Sequence, residues 1–137
     1  MTEFERRESE IYCEIKEKLA ISKFDLVTEG LSGDKKFYIE TTNGKRFLLR
    51  SSDYSEYERK KTVYDIMKKA VDIGIPMCKP VDFIISNDGK SVFQLLSWCE
   101  GENLEKVIST YHETDQYMLG IKAGEILKKI HSIPAQH

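Results

Sequence analysis

The sequence predicts an α+β fold: a five-stranded antiparallel sheet with flanking helices, followed by a helical segment. Three observations predict it. Five strand-like runs are short and rich in alternating or contiguous apolar residues. Two of the connections between them, Asn43-Gly44 and Asn87-Asp88-Gly89, carry hairpin chemistry, which pairs neighbouring strands antiparallel. The remaining stretches repeat apolar residues at the spacing of a helix face.

Thr2 can cap a first helix running to about Leu19, because Phe4, Ile11, Tyr12, Ile15 and Leu19 fall on one face. Residues 24–30 read as the first strand and 36–42 as the second, where Phe37 and Ile39 alternate with polar neighbours. Asn43-Gly44 predicts a type I′ turn, whose two central residues both need positive φ. It leads into Arg46-Phe47-Leu48-Leu49-Arg50. A long helix follows over about 54–73, with Val63, Met67 and Ala70 on its apolar face and Tyr64 and Ile66 beside it. Gly74-Ile75-Pro76 ends it, glycine as cap and proline as stop. The second hairpin joins 81–86 to 90–98. Beyond it, 102–109 predicts a short helix and 114–133 a long one, with Leu119, Ala123, Ile126, Leu127 and Ile130 at helical spacing. Lys128, Lys129 and His131 in its last turn complement the helix dipole.

Bulk properties narrow the function classes. A chain of 137 residues suits one domain or a domain with an appendage, and a 40% hydrophobic content supports a core. The 21 basic residues nearly balance 23 acids, a formal charge of −2, which leaves no electrostatic footprint for nucleic acid or an anionic membrane. Apolar runs such as Phe83-Ile84-Ile85 are far too short to cross a bilayer. Met1-Thr2-Glu3-Phe4-Glu5-Arg6-Arg7-Glu8 has no apolar stretch behind a basic one, so no secretory signal is read. Cys13, Cys78 and Cys99 are odd in number and scattered, which reads as reduced thiols in a cytoplasmic protein, with neither a zinc site nor a disulfide framework.

Three strands, a helix, two strands and an exit into helices is the plan of a protein-kinase-like N-terminal lobe. Local sequence fits it in order: Glu29-Gly30-Leu31-Ser32-Gly33-Asp34-Lys35-Lys36-Phe37-Tyr38 at the phosphate loop, Phe47-Leu48-Leu49-Arg50 at the third strand and Tyr57-Glu58-Arg59-Lys60-Lys61 on the helix. Gly74-Ile75-Pro76, Trp98-Cys99-Glu100-Gly101-Glu102 and Ile126-Leu127-Lys128-Lys129-Ile130-His131-Ser132-Ile133-Pro134 complete the series. Together these resemble the aminoglycoside phosphotransferase family, over essentially the whole chain but only the first part of a typical member. The resemblance implies a nucleotide-binding lobe over residues 1–98, then the hinge and first large-lobe helices over 99–137. It implies a parent that moves a γ-phosphoryl group from ATP or GTP, with Mg²⁺, to a small-molecule hydroxyl.

Carried over residue by residue, the resemblance places Ser32, Gly33 and Asp34 at the nucleotide phosphates, Arg50 as the third-strand cation, and Leu48 as an apolar wall. Leu96 stands at the back of the pocket, and the Ser97 carbonyl and Cys99 N–H meet the base. The residues alone also permit an ordinary hairpin turn, a solvated arginine and a plain linker. Backbone N–H groups in a Ser-Gly-Asp turn can approach phosphate closely. Arginine can neutralise phosphate with a bidentate fork. One departure from the family pattern concerns the acid that should pair with Arg50, whose position falls on Val63. Val63 is expected to face the sheet; Glu56 projects to nearly the same side two turns away, and Glu58 lies off that face. Arg59-Lys60-Lys61 reads as one exposed face.

Other features read as structural. Asp82-Phe83-Ile84 lacks the glycine of a metal-binding Asp-Phe-Gly, His112 has no aspartate two residues on, and Glu100 and Glu102 read as solvated. The His-x-Asp-x-x-x-x-Asn motif and the later aspartate that orient the acceptor and hold Mg²⁺ do not occur in the sequence. A further domain of roughly 100–200 residues is expected to carry them, and no turnover is expected from these residues alone. The acceptor and any link to antibiotic resistance are not named by the sequence. The apolar stripe on the last helix predicts self-association through it when no large lobe covers it. A rival reading is a degenerate kinase-like module that serves interaction or regulation without catalysis.

Overall fold

The computed structural model describes residues 2–30 and 33–135. Its elements are α1 (Glu3–Lys16), β1 (Ile21–Val27), β2 (Lys35–Thr41), β3 (Arg46–Asp53), α2 (Tyr57–Asp72), β4 (Pro80–Ile85), β5 (Ser91–Ser97), α3 (Leu104–Val107) and α4 (Glu113–His131). The strands form one antiparallel sheet in the order β1-β2-β3-β5-β4. The predicted architecture is the observed one.

The sheet is sealed on one face by α1. Its N-terminus closes with a capping box: Thr2 Oγ1 accepts from Glu5 N–H, and Glu5 Oε2 accepts from Thr2 N–H. Cross-strand pairs Phe37–Leu49 and Leu49–Leu95 set the buried face, and Ile11 and Ile15 pack there with Ile39 and Phe93. The opposite face carries Tyr38–Leu48–Leu96 and Lys36–Arg50–Gln94 in cross-strand rows. α2 lies over this second face, where Tyr64 meets the Phe83 ring at 5.4 Å. β5 sits between β3 and β4 with helices on both sides, and every residue of its Ser91–Leu96 run is buried. A strand covered on both faces loses the alternation of a half-exposed one.

The structure corrects several local expectations. The β2–β3 turn is not type I′, because no described non-glycine residue has positive φ. Gly44 N–H donates to the Thr41 carbonyl, Gly44 alone takes φ +84, and Thr41 N–H meets the Lys45 carbonyl. That is a three-residue loop, a type I turn closed by a glycine in the left-handed region. The first strand lies three residues earlier than expected, so Glu29 and Gly30 belong to the loop. Helix α2 is preceded by a tighter 3-10 turn, Tyr54–Glu56, which Asp53 caps through Ser55 N–H at 2.9 Å. The short helix before α4 is a single turn, followed by another 3-10 turn, Ile108–Thr110.

The phase of α2 differs most. Its buried residues are Lys60, Tyr64 and Ala70, while Val63 is 41% exposed. Val63 therefore does not face the sheet. The stripe Lys60, Tyr64, Met67 is an unbroken helical face, but one whose first member is charged. On α4, the apolar stripe is present and uncovered: none of its residues is buried, and Leu119, Leu127 and Ile130 are exposed.

Candidate functional site

Asp34 is the centre of the site, at the start of the chain leading into β2. Its Oδ2 accepts from Lys60 Nζ at 2.6 Å and pairs with Arg50 Nη2 at 3.1 Å. Ser52 Oγ donates to its Oδ1 at 3.1 Å. Arg50 and Ser52 reach it because they are alternate residues of β3, on the face that α2 covers. Lys60 reaches it from the first full turn of α2, with its side chain only 8% exposed. Gly33, Asp53, Glu56 and Arg59 complete a cleft of about 400 Å³ around this cluster. Ser32 lies outside the described residues.

The charges explain the protonation state of the centre. Burial pushes the Asp34 carboxyl up, but the Lys60 hydrogen bond and the positive charges of Lys60 and Arg50 outweigh it and hold the group below its ordinary 3.8. A carboxyl depressed in the folded state contributes stability that is complete above the unfolded value and is lost as pH falls through the folded one. The urea midpoint is therefore expected to decline below about pH 4, and Asp34→Asn is expected to flatten that part of the curve. An identical acid limb in both proteins would show that the cluster carries none of it.

The other sequence-predicted residues distribute along the same face. Leu48 pairs with Leu96 across β3 and β5, one cross-strand row from Arg50. Leu96 is buried. Ser97 and Cys99 lie farther on, where β5 leaves the sheet. Ser97 N–H donates to the Lys79 carbonyl at 2.8 Å, and its hydroxyl accepts from Lys79 N–H at 2.7 Å. Trp98 N–H donates to the Arg46 carbonyl, and its ring packs edge-on against Tyr38 at 4.8 Å. The structure thus brings Gly33, Asp34 and Arg50 together. It sets Leu48 and Leu96 beside them on one face, and leaves Ser97 and Cys99 at its end.

Sequence reasoning missed two things. Arg50 pairs with the loop residue Asp34, from the strand side, where an acid on α2 was expected. Lys60, read as part of an exposed basic run, is buried in the cleft. Its signal was the i, i+4, i+7 stripe with Tyr64 and Met67, legible once a cation is admitted to a buried face.

Features read as structural behave so. Asp82-Phe83-Ile84 lies within β4, where Phe83 packs against Tyr57 and Tyr64. His112 caps α4, its Nδ1 accepting from Thr114 N–H at 3.2 Å. Glu100 is paired with Arg46. A wider cleft of about 700 Å³ between α1 and the β4–β5 turn is lined by charges that pair among themselves, such as Arg7 with Asp88 at 3.6 Å. Among the described residues no three His, Cys, Asp or Glu side chains gather as a metal site.

A profile of the phosphotransferase enzyme family (APH) matches residues 24–137, from within β1 onward. The chain belongs to the APH phosphotransferase family. Among solved structures, amicoumacin kinase hAmiN, in complex with AMP-PNP, Ca²⁺ and Ami, aligns with a TM-score of 0.61 at 13% identity. The alignment covers 100% of this chain and 45% of that one, so the APH chain spans less than half the length of the structure it matches. At this identity the likeness is one of fold. No curated protein matches the sequence. No helix of the described residues is long and apolar enough to cross a membrane.

Proposed function

We propose that this APH chain is the nucleotide-binding lobe of a small-molecule phosphotransferase. The convergence of Arg50 and Lys60 on one carboxylate, on the sheet face that also bears Leu48 and Leu96, carries the reading. Arg50 and Lys60 converge at one point of a cleft whose lining is formally balanced, three cations against Asp34, Asp53 and Glu56, and in a partly buried cleft Coulombic attraction is less screened than in water. The phosphates of ATP or GTP fit the paired cations Arg50 and Lys60. In this reading Gly33 and its loop approach the phosphates through backbone N–H groups, Arg50 and Lys60 neutralise them, and Asp34 holds both cations in place. The base lies over the Leu48–Leu96 row and meets the backbone of Ser97 and Cys99. The acceptor is a small-molecule hydroxyl. The groups that orient it, and those that hold Mg²⁺ between the phosphates, belong to a second lobe outside residues 1–137. These residues bind nucleotide without turning it over.

Calorimetric titration with AMP-PNP and GMP-PNP tests the proposal. Saturable heat with either, abolished by an excess of ATP or GTP respectively, is the expected result. No heat with either nucleotide, with or without Mg²⁺, would favour the second reading, an interaction module without nucleotide.

The uncovered face of α4 carries an expectation under either reading. Leu119, Leu127 and Ile130 are exposed together on it, and an apolar strip of this kind draws copies together in water. The expected result for the isolated chain is a sedimentation coefficient that rises with concentration. A single monomeric species at high micromolar concentration would show that the strip does not act this way.

A further inference from the structure

The hinge end of the sheet holds a pair of thiols. Beyond Gly74-Ile75-Pro76 the chain runs into β4 alongside the exit of β5. The Lys79–Ser97 hydrogen bonds extend their antiparallel ladder one residue past its last strand pair, Pro80 with Leu96. That register carries Cys78 and Cys99 to the same end of the ladder, although they are 21 positions apart in sequence, and their sulfurs lie 2.8 Å from each other. Both are free thiols; Cys99 is exposed and Cys78 half-buried. Cys13 is on α1, across the sheet.

We propose that Cys78 and Cys99 form a reactive dithiol, a modification site that takes low-molecular-weight disulfides and closes into an intramolecular disulfide across the hinge. The order of attack follows from exposure. Burial, and then the hydrogen bond with Cys99, push the Cys78 thiol up to about 11, so it keeps its proton at neutral pH. Cys99, open to solvent, is the first nucleophile. Its thiolate attacks one sulfur of the small disulfide, forming a mixed disulfide and releasing one small thiolate. Cys78 then attacks the Cys99 sulfur, loses its proton to solvent, and expels the second small thiolate. Two protein thiols and one small disulfide become one protein disulfide and two small thiols. The bond ties the segment before β4 to the strand exit, so the two no longer move separately.

Oxidised glutathione is the probe. The intact chain is expected to lose about 2 Da with no retained adduct, the signature of ring closure. Afterwards iodoacetamide should label Cys13 alone, and dithiothreitol should restore all three thiols. Cys13→Ser should close as the unmodified chain does. Cys78→Ser, checked for native circular dichroism, should stop at a stable glutathione adduct on Cys99. Two results would overturn the proposal: a stable adduct on Cys99 in the unmodified chain, or continued iodoacetamide labelling of both Cys78 and Cys99 after treatment. Because the readout is covalent, neither depends on whether the chain binds nucleotide.

Discussion

Lys60→Met is expected to weaken AMP-PNP binding by about tenfold to a hundredfold, the roughly 1.5–3 kcal/mol of a hydrogen bond to a charged group. Adenosine affinity should stay unchanged. The side chain is aimed into the cleft from α2 and meets Asp34 there, so its removal deletes one of two positive charges at the proposed phosphate position. Methionine keeps most of the stem's packing. Arg50→Met should show the same split between nucleotide and nucleoside, since the two cations face one carboxylate. A Lys60→Met protein that loses adenosine and AMP-PNP affinity together would assign Lys60 to the framework alone. One that loses neither would remove it from the phosphate site. If GMP-PNP is the nucleotide bound, guanosine serves as the control.

The second large effect is on stability, and it is asymmetric. Asp34→Ala is expected to destabilise the chain by about 3 kcal/mol, because it leaves Lys60 and Arg50 close together without the shared counter-charge. The figure is at the low end of that range since the Arg50 side chain is 29% exposed and can be hydrated. Lys60→Met should change stability by about 1 kcal/mol or less, because Asp34 keeps Arg50 and Ser52 as partners. Urea unfolding of the two variants checks both figures. Equal losses would mean that the cluster acts as a simple pair, with no excess of positive charge to leave exposed.

Most of the fold was readable because local rules and tertiary structure agree. Asn43-Gly44 and Asn87-Asp88-Gly89 placed both hairpins, and the glycines do take positive φ, +84 and +72. The turn type was misjudged because Asn43 stays at negative φ once glycine alone closes the loop. The face of α2 was misread because apolar periodicity discards a lysine. What buries Lys60 is Asp34, 26 residues away in sequence, and no pattern within the helix contains that partner. For the same reason an acid to pair with Arg50 was expected on α2, and its partner lies on the loop. The Cys78–Cys99 approach is another product of strand register, invisible in spacings that match no metal or disulfide motif.

Helix α2 is gripped unevenly. Directional contacts hold its first turns: Lys60 Nζ on Asp34, and Gln94 Nε2 donating to the Lys60 carbonyl at 3.2 Å from β5. Its far end is held by the packing of Ala70 and the following Ile75, and apolar surfaces slide more readily than hydrogen bonds reorient. The position of the cation is therefore set by hydrogen bonds at the cleft end of the helix, and the Ile73 end is set by packing.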